Sequence, residues 1–413
     1  MDIKNIIYKK SKKEELTKEE IEYFVKDYTA GEIADYQAAA LLMAIKINGM
    51  KESETFVLTE AMLNSGDVID LSDIGFCVDK HSSGGISDTT TLALAPICAA
   101  AGIKMLKLSG RGLGFTGGTI DKLESFDGYN AEINMKTAKE LVRKNNSCVM
   151  SASINVVPAD KKLYALRDTT ATVESLPLIA SSIMSKKLAS GSSAIVLDVK
   201  YGNGTFMKTK KDAKKLAKLM CKIGEHFGRK MDYVLGDMNE PLGYNIGNKL
   251  EAYEAIELLS GKPGKLRNDT LNIAAKCISL YKNISYKEAY TLAEKTIEDK
   301  SALNKFKQMV TAQGGSCKLF DGLDIYPVLK VYSTISGRLN KINCSHLGEI
   351  VGHMGATRQK MTDKIDYNVG VKTFHKLGDK INKGDLIFEI YAKNEEEAKH
   401  YESDLINCYI IGK

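Results

Sequence analysis

The chain predicts an α/β protein with an all-helical segment in front and a small β-rich module behind. Three observations carry that prediction. Residues 3–65 show helical periodicity throughout. After residue 66, short apolar runs alternate with helical patterns and Gly-rich loops, which is the pattern of a mainly parallel sheet. From about Tyr326 the texture shifts to short strands with Gly turns. The 413 residues suffice for two or three domains with real cores.

In chain order, Thr17-Lys-Glu-Glu20 has capping-box spacing ahead of the apolar face of Ile21, Phe24 and Val25. Periodic segments follow at 35–47 and 53–63, closed by Asn48-Gly49 and Asn64-Ser65-Gly66. They carry no catalytic constellation and read as a scaffold or oligomer interface. Residues 74–78 read as the first strand, ending in Asp79-Lys80-His81, with a Gly pair and then a helix over 88–101. Residues 103–108 read as the next strand, followed by a second Gly loop. A helix over 136–145, a strand over 148–154 and two Pro-opened helices, 158–171 and 175–188, come next. Then come a strand (194–199), the loop Tyr201-Gly-Asn-Gly204, a helix (211–227), a strand (231–235) and helices from 249 to 313. Residues 331–339 and 371–390 each read as hairpin material. Ligands of parallel sheets gather at the carboxyl ends of strands. Both Gly loops fall there.

The 44% apolar and 27% charged content is ordinary for a soluble protein. The net charge of +6 is spread along the chain. The basic runs 9–13 and 208–215 are interrupted or lie on helical patterns, which argues for solvated faces rather than a nucleic-acid patch. None of the 8 Cys forms a CxxC pair, as expected of a reduced, intracellular chain. The N-terminus lacks the apolar core of a signal peptide. The longest apolar run, 92–103, contains Pro96 and is too short for a bilayer. The expectation is a cytoplasmic protein without membrane or nucleic-acid partners.

Residues 80–124 combine three Gly-rich turns with nine Ser and Thr hydroxyls. Lys80, His81, Ser82, Ser83, Gly84 and Gly85 precede a helix whose first turn holds Thr89, Thr90 and Thr91. Backbone N–H groups, hydroxyls and a cation there would suit an oxyanion such as phosphate. A plain βα turn with capping hydroxyls remains open on composition alone. No phosphate-loop motif of the G-x-x-x-x-G-K-[ST] type occurs. The second loop, 109–119, places Gly112, Gly114 and Gly117 in G-x-G-x-x-G spacing, a weak signal by itself. Asp121 and Glu124 come too early for a dinucleotide's ribose carboxylate. His81, one of 6 His, lies inside the anion loop, where it could act as an acid or a hydrogen-bond donor near neutrality. Tyr164, Arg167, Ser182 and Lys186 form a third group. Ser182 and Lys186 share a helix face, and Arg167 offers a planar fork for carbonyl or imide groups. By themselves such residues are more often surface cations.

Four ordered blocks are distinctive: KHSSGGISDTTT, SGRGLGFTGGTIDKLES, PADKKLYALRDTTATVESLPLIASSIMSKK and LDVKYGNGTFM. Together they resemble the thymidine and pyrimidine-nucleoside phosphorylase family over nearly the whole chain. The resemblance implies reversible phosphorolysis of pyrimidine nucleosides to free base and pentose 1-phosphate. It implies phosphate binding by Lys80, His81, Ser82, Thr91, Lys107, Leu108, Ser109 and Thr119. His81 would also stabilise the departing base at O2. Arg167, Ser182 and Lys186 would hold the base edge with Tyr164 nearby, so that His81, Arg167 and Lys186 are the catalytic set. The implied domains are a helical one (1–66 with 157–189, also the dimer interface), an α/β phosphate-binding one (67–156 with 190–325), and a hammerhead-like barrel-sandwich module (326–413). A hinge between the first two, closing over the substrates, is implied as well, as is a homodimer.

The Lys107-Leu108-Ser109 run resembles the bacterial branch that accepts uridine as well as thymidine and 2′-deoxyuridine. A strict thymidine phosphorylase is the alternative. That branch is similar in holding a potassium ion, with matched positions Ser87, Thr89, Leu242, Asn245 and Glu254. Ser87 stands for a usual Gly and Asn245 for a usual Ala. Thr357 likewise replaces a Gly in Gly355-Ala-Thr-Arg358. No organic cofactor is implied, and inorganic phosphate is the co-substrate. An anthranilate-type phosphoribosyltransferase shares the architecture but needs magnesium-binding carboxylates, where this chain has His81, Arg167 and Lys186. A lipoyl-type carrier reading of Lys360-Met361 fails because the flanking residues do not resemble the Met-Lys-Met turn.

Overall fold

The computed structural model describes residues 1–112, 117–151, 155–205, 207–358, 360 and 362–412. Gly114 of the second loop and Ile154 of the expected third strand lie outside them. Four helices come first: α1 (Ile3–Ser11), α2 (Lys18–Ala30), α3 (Asp35–Asn48) and α4 (Glu52–Leu63). Next come β1 (Val78–Ser82), α5 (Thr90–Ala100), β2 (Met105–Ser109), α6 (Thr119–Leu123), α7 (Met135–Asn145) and β3 (Ser147–Ser151). They are followed by α8 (Pro158–Thr169), α9 (Leu176–Ala189), β4 (Ala194–Tyr201), α10 (Lys210–His226), β5 (Lys230–Asp237) and β6 (Asn245–Ile246). Helices α11 (Asn248–Leu259), α12 (Lys265–Lys282), α13 (Tyr286–Glu298) and α14 (Ser301–Ala312) lead into the last module. That module holds β7 (Leu329–Tyr332), β8 (Gly337–Ile342), α15 (Cys344–Val351), β9 (Gly370–Thr373), β10 (Lys380–Ile381), β11 (Leu386–Tyr391), α16 (Glu395–Asn407) and β12 (Tyr409–Gly412). No described helix is long and apolar enough to cross a membrane.

The chain forms two compact units. The first comprises Met1–Asp79, Ala152–Ile195 and Lys214–Asp232. Its start follows the sequence signal: Thr17 Oγ1 accepts from Glu20 N while Glu20 Oε2 accepts from Thr17 N, which satisfies two otherwise unpaired donors at the head of α2. Phe24, Tyr28, Leu41, Leu42, Leu58, Leu163 and Leu178 build one core shared by α2, α3, α4, α8 and α9. Burial of each large apolar side chain contributes on the order of 2 kcal/mol. One ion pair is buried beside it, Lys10 Nζ to Glu54 Oε1 at 2.7 Å. The Glu54 carboxylate also accepts from Leu16 N and Lys51 N, so the charge is fully met. This scaffold fixes α8 and α9, which carry Tyr164, Arg167, Ser182 and Lys186.

The second unit comprises Lys80–Ser151, Val196–Ala213 and Tyr233–Lys413. Strands β1, β4 and β5 are neighbours in the order β1-β4-β5, and β2 pairs in parallel with β3. The first strand lies four residues beyond the expected 74–78. Ile74, which opens that run, is buried at the end of a short 3-10 turn, Ser72–Ile74, closed by Gly75 at φ +79°. Lys80, His81 and Ser82 are therefore strand residues. Side chains alternate along a strand, so Lys80 and Ser82 face one way and His81 the other. Helix α5 begins at Thr90 rather than 88 and is buried from Thr90 to Ala99. A helix enclosed on all sides needs no polar stripe, which explains its unbroken apolar run.

The last module has two sheets, β10-β8-β12 and β6-β9-β11-β7, around Leu339, Val371, Phe388 and Ile390. The expected hairpin over 331–339 does not form. Strand β7 pairs with β11, while β8 pairs with β10 and β12, so the two neighbours in sequence join different sheets. The 371–390 run does pair with itself, through β9 and β11. Strand β6 pairs with β9, so main-chain hydrogen bonds tie the module to the α/β segment, and the two cluster as one unit.

Candidate active site

The first loop is organised around two carboxylates. Lys80 is fully buried, with its Nζ 3.1 Å from Asp198 Oδ2 and donating to Thr90 Oγ1 at 2.6 Å. Lys200 Nζ lies 2.9 Å from the other Asp198 oxygen. Asp198 and Lys200 both come from β4, the neighbour of β1. Asp88 accepts from Ser82 Oγ at 2.5 Å, from Thr90 Oγ1 at 2.6 Å and from Thr90 N at 3.2 Å. Burial pushes the Asp88 carboxyl up, but Lys80, Lys200 and the Ser82 and Thr90 hydroxyls outweigh it and hold it well below the usual range. This changes the expected role of the helix start: at the first turn of α5, Asp88 already receives the Thr90 N–H. The Ser82 and Thr90 hydroxyls point at Asp88 as well, which leaves the Lys80 charge, rather than bare helix-terminal N–H groups, as the loop's attraction for an anion.

The second loop joins the first through α6. Lys122 Nζ donates to Asp88 O at 2.8 Å and lies 2.6 Å from Glu251 Oε2, which also accepts from Thr89 Oγ1. These bonds tie α6, which begins at Thr119, to the Asp88 loop. Gly118 is obligatory, because a Cβ there would lie 2.1 Å from Gly112 N. Asp121 accepts from Gly112 N, Arg111 Nη1 and Arg358 Nη1, which closes the loop on its own base. Strand β2 delivers Lys107, Leu108 and Ser109, all buried. Lys107 Nζ donates to Leu108 O at 3.1 Å. The Ser109 hydroxyl is buried and has no hydrogen-bond partner among the described residues. Thr91 is buried one residue into α5 from Thr90.

The third group lies wholly in the first unit. Arg167 is buried, and its Nε, Nη1 and Nη2 donate to the carbonyls of Thr172, Leu178 and Val173. Three of its N–H groups thus fix the 172–178 turn, and a guanidinium has five. Burial lowers its pKa below the ordinary arginine value. Ser182 is buried on α9, with Lys186 one turn on. Lys186 Nζ donates to Asp160 Oδ2 at 2.5 Å and to Ser182 Oγ at 3.3 Å, and it stands 5.8 Å from the Tyr164 ring centroid. The four expected residues are brought together, with Asp160 added.

Four of the five matched cation positions, Ser87, Leu242, Asn245 and Glu254, converge, while the Thr89 hydroxyl donates to Glu251. Ser87 sits at φ +57°, and its Oγ accepts from Gly243 N. Glu254 accepts from Tyr244 N at 2.7 Å and Asn245 N at 3.1 Å. A Cβ on Gly243 would fall 2.2 Å from Glu254 Oε2 and 2.6 Å from Ser87 Oγ, so only glycine permits this approach. Burial pushes the Glu254 carboxyl up to about 7 against those backbone donors. Lys376 Nζ donates instead to the carbonyls of Pro241 and Gly243. Asn245 Oδ1 is buried without a partner among the described residues. An all-oxygen set with one carboxylate is of the kind that suits a hard cation.

Asp88, Asp160, Asp198 and Lys200 are not among the residues that the sequence singles out. Their signal is present in part: Asp198-Val-Lys200 puts two charges on one face of an otherwise apolar strand.

Residues 75–303 match the family model described as "Glycosyl transferase family, a/b domain", and residues 4–66 match its helical bundle domain. Residues 338–412 match "Pyrimidine nucleoside phosphorylase C-terminal domain". A pyrimidine-nucleoside phosphorylase of Staphylococcus haemolyticus is 48% identical over 96% of this chain and 93% of its own length. Enzymes of that name from Geobacillus stearothermophilus (47%, 99% and 97%) and Bacillus subtilis (46%, 96% and 93%) are similar. Among solved structures, anthranilate phosphoribosyltransferase from Thermus thermophilus superposes with a TM-score of 0.60 at 19% identity, over 75% of this chain and 99% of that one. At that identity the likeness is one of fold.

Proposed function

The chain belongs to the pyrimidine-nucleoside phosphorylase family, pentosyltransferases that act on nucleosides with phosphate, and from that premise we propose its substrates and residue roles. The substrates are uridine, thymidine and 2′-deoxyuridine, in nucleoside salvage. Lys80, Ser82, Thr91, Lys107, Leu108, Ser109 and Thr119 hold inorganic phosphate. The observation that carries this assignment is the Ser109 hydroxyl, buried without a partner at the end of β2. A buried hydroxyl left unpaired costs about 1–3 kcal/mol, which an anion acceptor would recover.

The reaction follows from these groups. A phosphate oxygen attacks the anomeric carbon as the glycosidic bond breaks. The bonding pair leaves on the pyrimidine, and its charge spreads to the ring carbonyls. His81, facing away from Lys80 and Ser82, donates at the O2 of the departing base. Arg167 and Lys186 meet the base edge with Ser182, and Tyr164 flanks it. Donors aimed where charge develops lower the barrier most when they are already fixed, as Arg167 is by the 172–178 carbonyls. The cradle supplies an oriented nucleophile.

Potassium fits Ser87, Thr89, Leu242, Asn245 and Glu254. It would neutralise the Glu254 carboxylate and stiffen the loop that starts at Ser87, one residue from Asp88. The chain is a homodimer through its first helices, a reading supported by the exposed Tyr8, Tyr36 and Ile47 of α1 and α3. It works in the cytoplasm.

Base release from the three nucleosides, measured with and without phosphate and in potassium or choline salts, tests the reading. Phosphate-dependent release of uracil and thymine is expected without magnesium. Release of thymine alone would leave a strict thymidine phosphorylase, and a magnesium requirement would defeat the assignment.

A further inference from the structure

We propose that Asp88 is a positioning residue that makes the cradle read a proton on its anion, so that it selects phosphate over sulfate. The inference rests on the cradle being the phosphate site. A serine hydroxyl has one proton and two acceptor lone pairs. The Ser82 proton goes to Asp88 Oδ2. A carboxylate, ionised near neutrality, can only accept, and the neighbouring bond is fixed independently. Lys80 Nζ can only donate, and it donates to Thr90 Oγ1, so the Thr90 proton must go to Asp88 Oδ1. Thr90 N–H points at the same oxygen. Asp88 thus faces donors on both oxygens and acts as an ionised acceptor.

Gly84 N–H takes one lone pair of Ser82 Oγ at 3.3 Å. What Ser82 has left for a ligand is the other lone pair, an acceptor. Ser109 is the opposite case, since its hydroxyl has no partner among the described residues and can donate. The two serines therefore offer one acceptor and one donor. Near neutrality inorganic phosphate carries both P–O⁻ and P–OH groups. Its anionic oxygen suits Ser109 and Lys80, and its hydroxyl suits Ser82. Sulfate has the same shape and no proton, so it would set an oxygen against the Ser82 lone pair. A site built to hydrogen-bond one group discriminates against an isostere that lacks it, because the buried partner is left unpaired.

Calorimetric titration of the full chain with potassium phosphate and with potassium sulfate, at matched ionic strength, tests this without requiring turnover. Phosphate should bind at least about tenfold more tightly than sulfate. Equal affinities would overturn the proposal. In Asp88→Asn the carboxamide can donate to Ser82 Oγ and free that hydroxyl to donate outward. The phosphate-to-sulfate preference should then fall about tenfold. Ser82→Ala, which removes the reading group and keeps Asp88, should narrow the preference as well, with circular dichroism to verify folding. A preference unchanged in both folded variants would sink the idea. Phosphate selectivity in a chain that releases no base would count against the substrate assignment and leave this inference standing.

Discussion

Lys80 and Lys186 are both cations placed for a negative charge, and their surroundings differ sharply. Lys80 is enclosed between Asp198 and Thr90, with Lys200 and Asp88 completing a buried set of alternating charges. Lys186 keeps 43% of its side chain exposed and has one carboxylate partner, Asp160. A buried cation cannot reorient cheaply, so on the proposed reading the cradle is fixed before phosphate arrives, as suits a small, invariant anion. An exposed lysine on a helix is cheap to move and strongly screened, as suits a larger substrate whose charge appears only during reaction. The two groups should therefore fail differently when a cation is removed.

Replacing Lys80 by Ala should have the largest effect. It leaves Asp198 and Asp88 short of a positive partner, and breaking a buried pair from one side costs about 3–5 kcal/mol. Denaturant unfolding should show that loss, and catalytic efficiency with phosphate should fall about a thousandfold or more. His81→Ala comes next. Its turnover number should drop about a hundredfold while the phosphate KM changes by less than about threefold, because its partner is the departing base. Lys186→Ala should lower the efficiency with nucleoside about tenfold to a hundredfold and cost less stability than Lys80→Ala, since only its partner Asp160 is buried. If Lys186→Ala destabilised the fold as much as Lys80→Ala, the contrast between the halves would be broken.

Much of this is legible in the chain because it depends on local spacing. The capping box at Thr17 and Glu20, the Pro158 helix start and the i, i+4 pair Ser182–Lys186 each operate within one turn, and all are readable. The first strand falls later than its apolar run suggests, because burial and strand pairing look alike in such a run. Ile74 is buried in a 3-10 turn, and the ladder begins only at Val78. The failed hairpin at 331–339 has a similar cause, since partner choice for β7 and β8 is decided by strands 40 or more positions away. Asp160 and Asp198 escape a reading of the sequence because their meaning depends on who faces them, Lys186 across two helices and Lys80 across two strands. A carboxylate's partner is a property of packing, and no spacing rule reports it.

The smallest expected effect belongs to the cation positions. Glu254 is buried, its nearby lysine Lys376 is engaged by the Pro241 and Gly243 carbonyls, and Gly243 alone permits the approach of Ser87. A bound monovalent cation would stabilise the second unit by mass action, about 1.4 kcal/mol at ten times its dissociation constant. Melting temperatures should therefore be higher in potassium chloride than in choline chloride at equal ionic strength. Glu254→Gln should abolish that difference. Asn245→Ala separates two ligand types: a main-chain carbonyl at 245 would preserve the potassium effect, whereas a contribution from the unpaired Asn245 Oδ1 would weaken it. Identical melting in the two salts for the unsubstituted chain would remove potassium from the site and leave the buried Glu254 to be explained by its backbone donors alone.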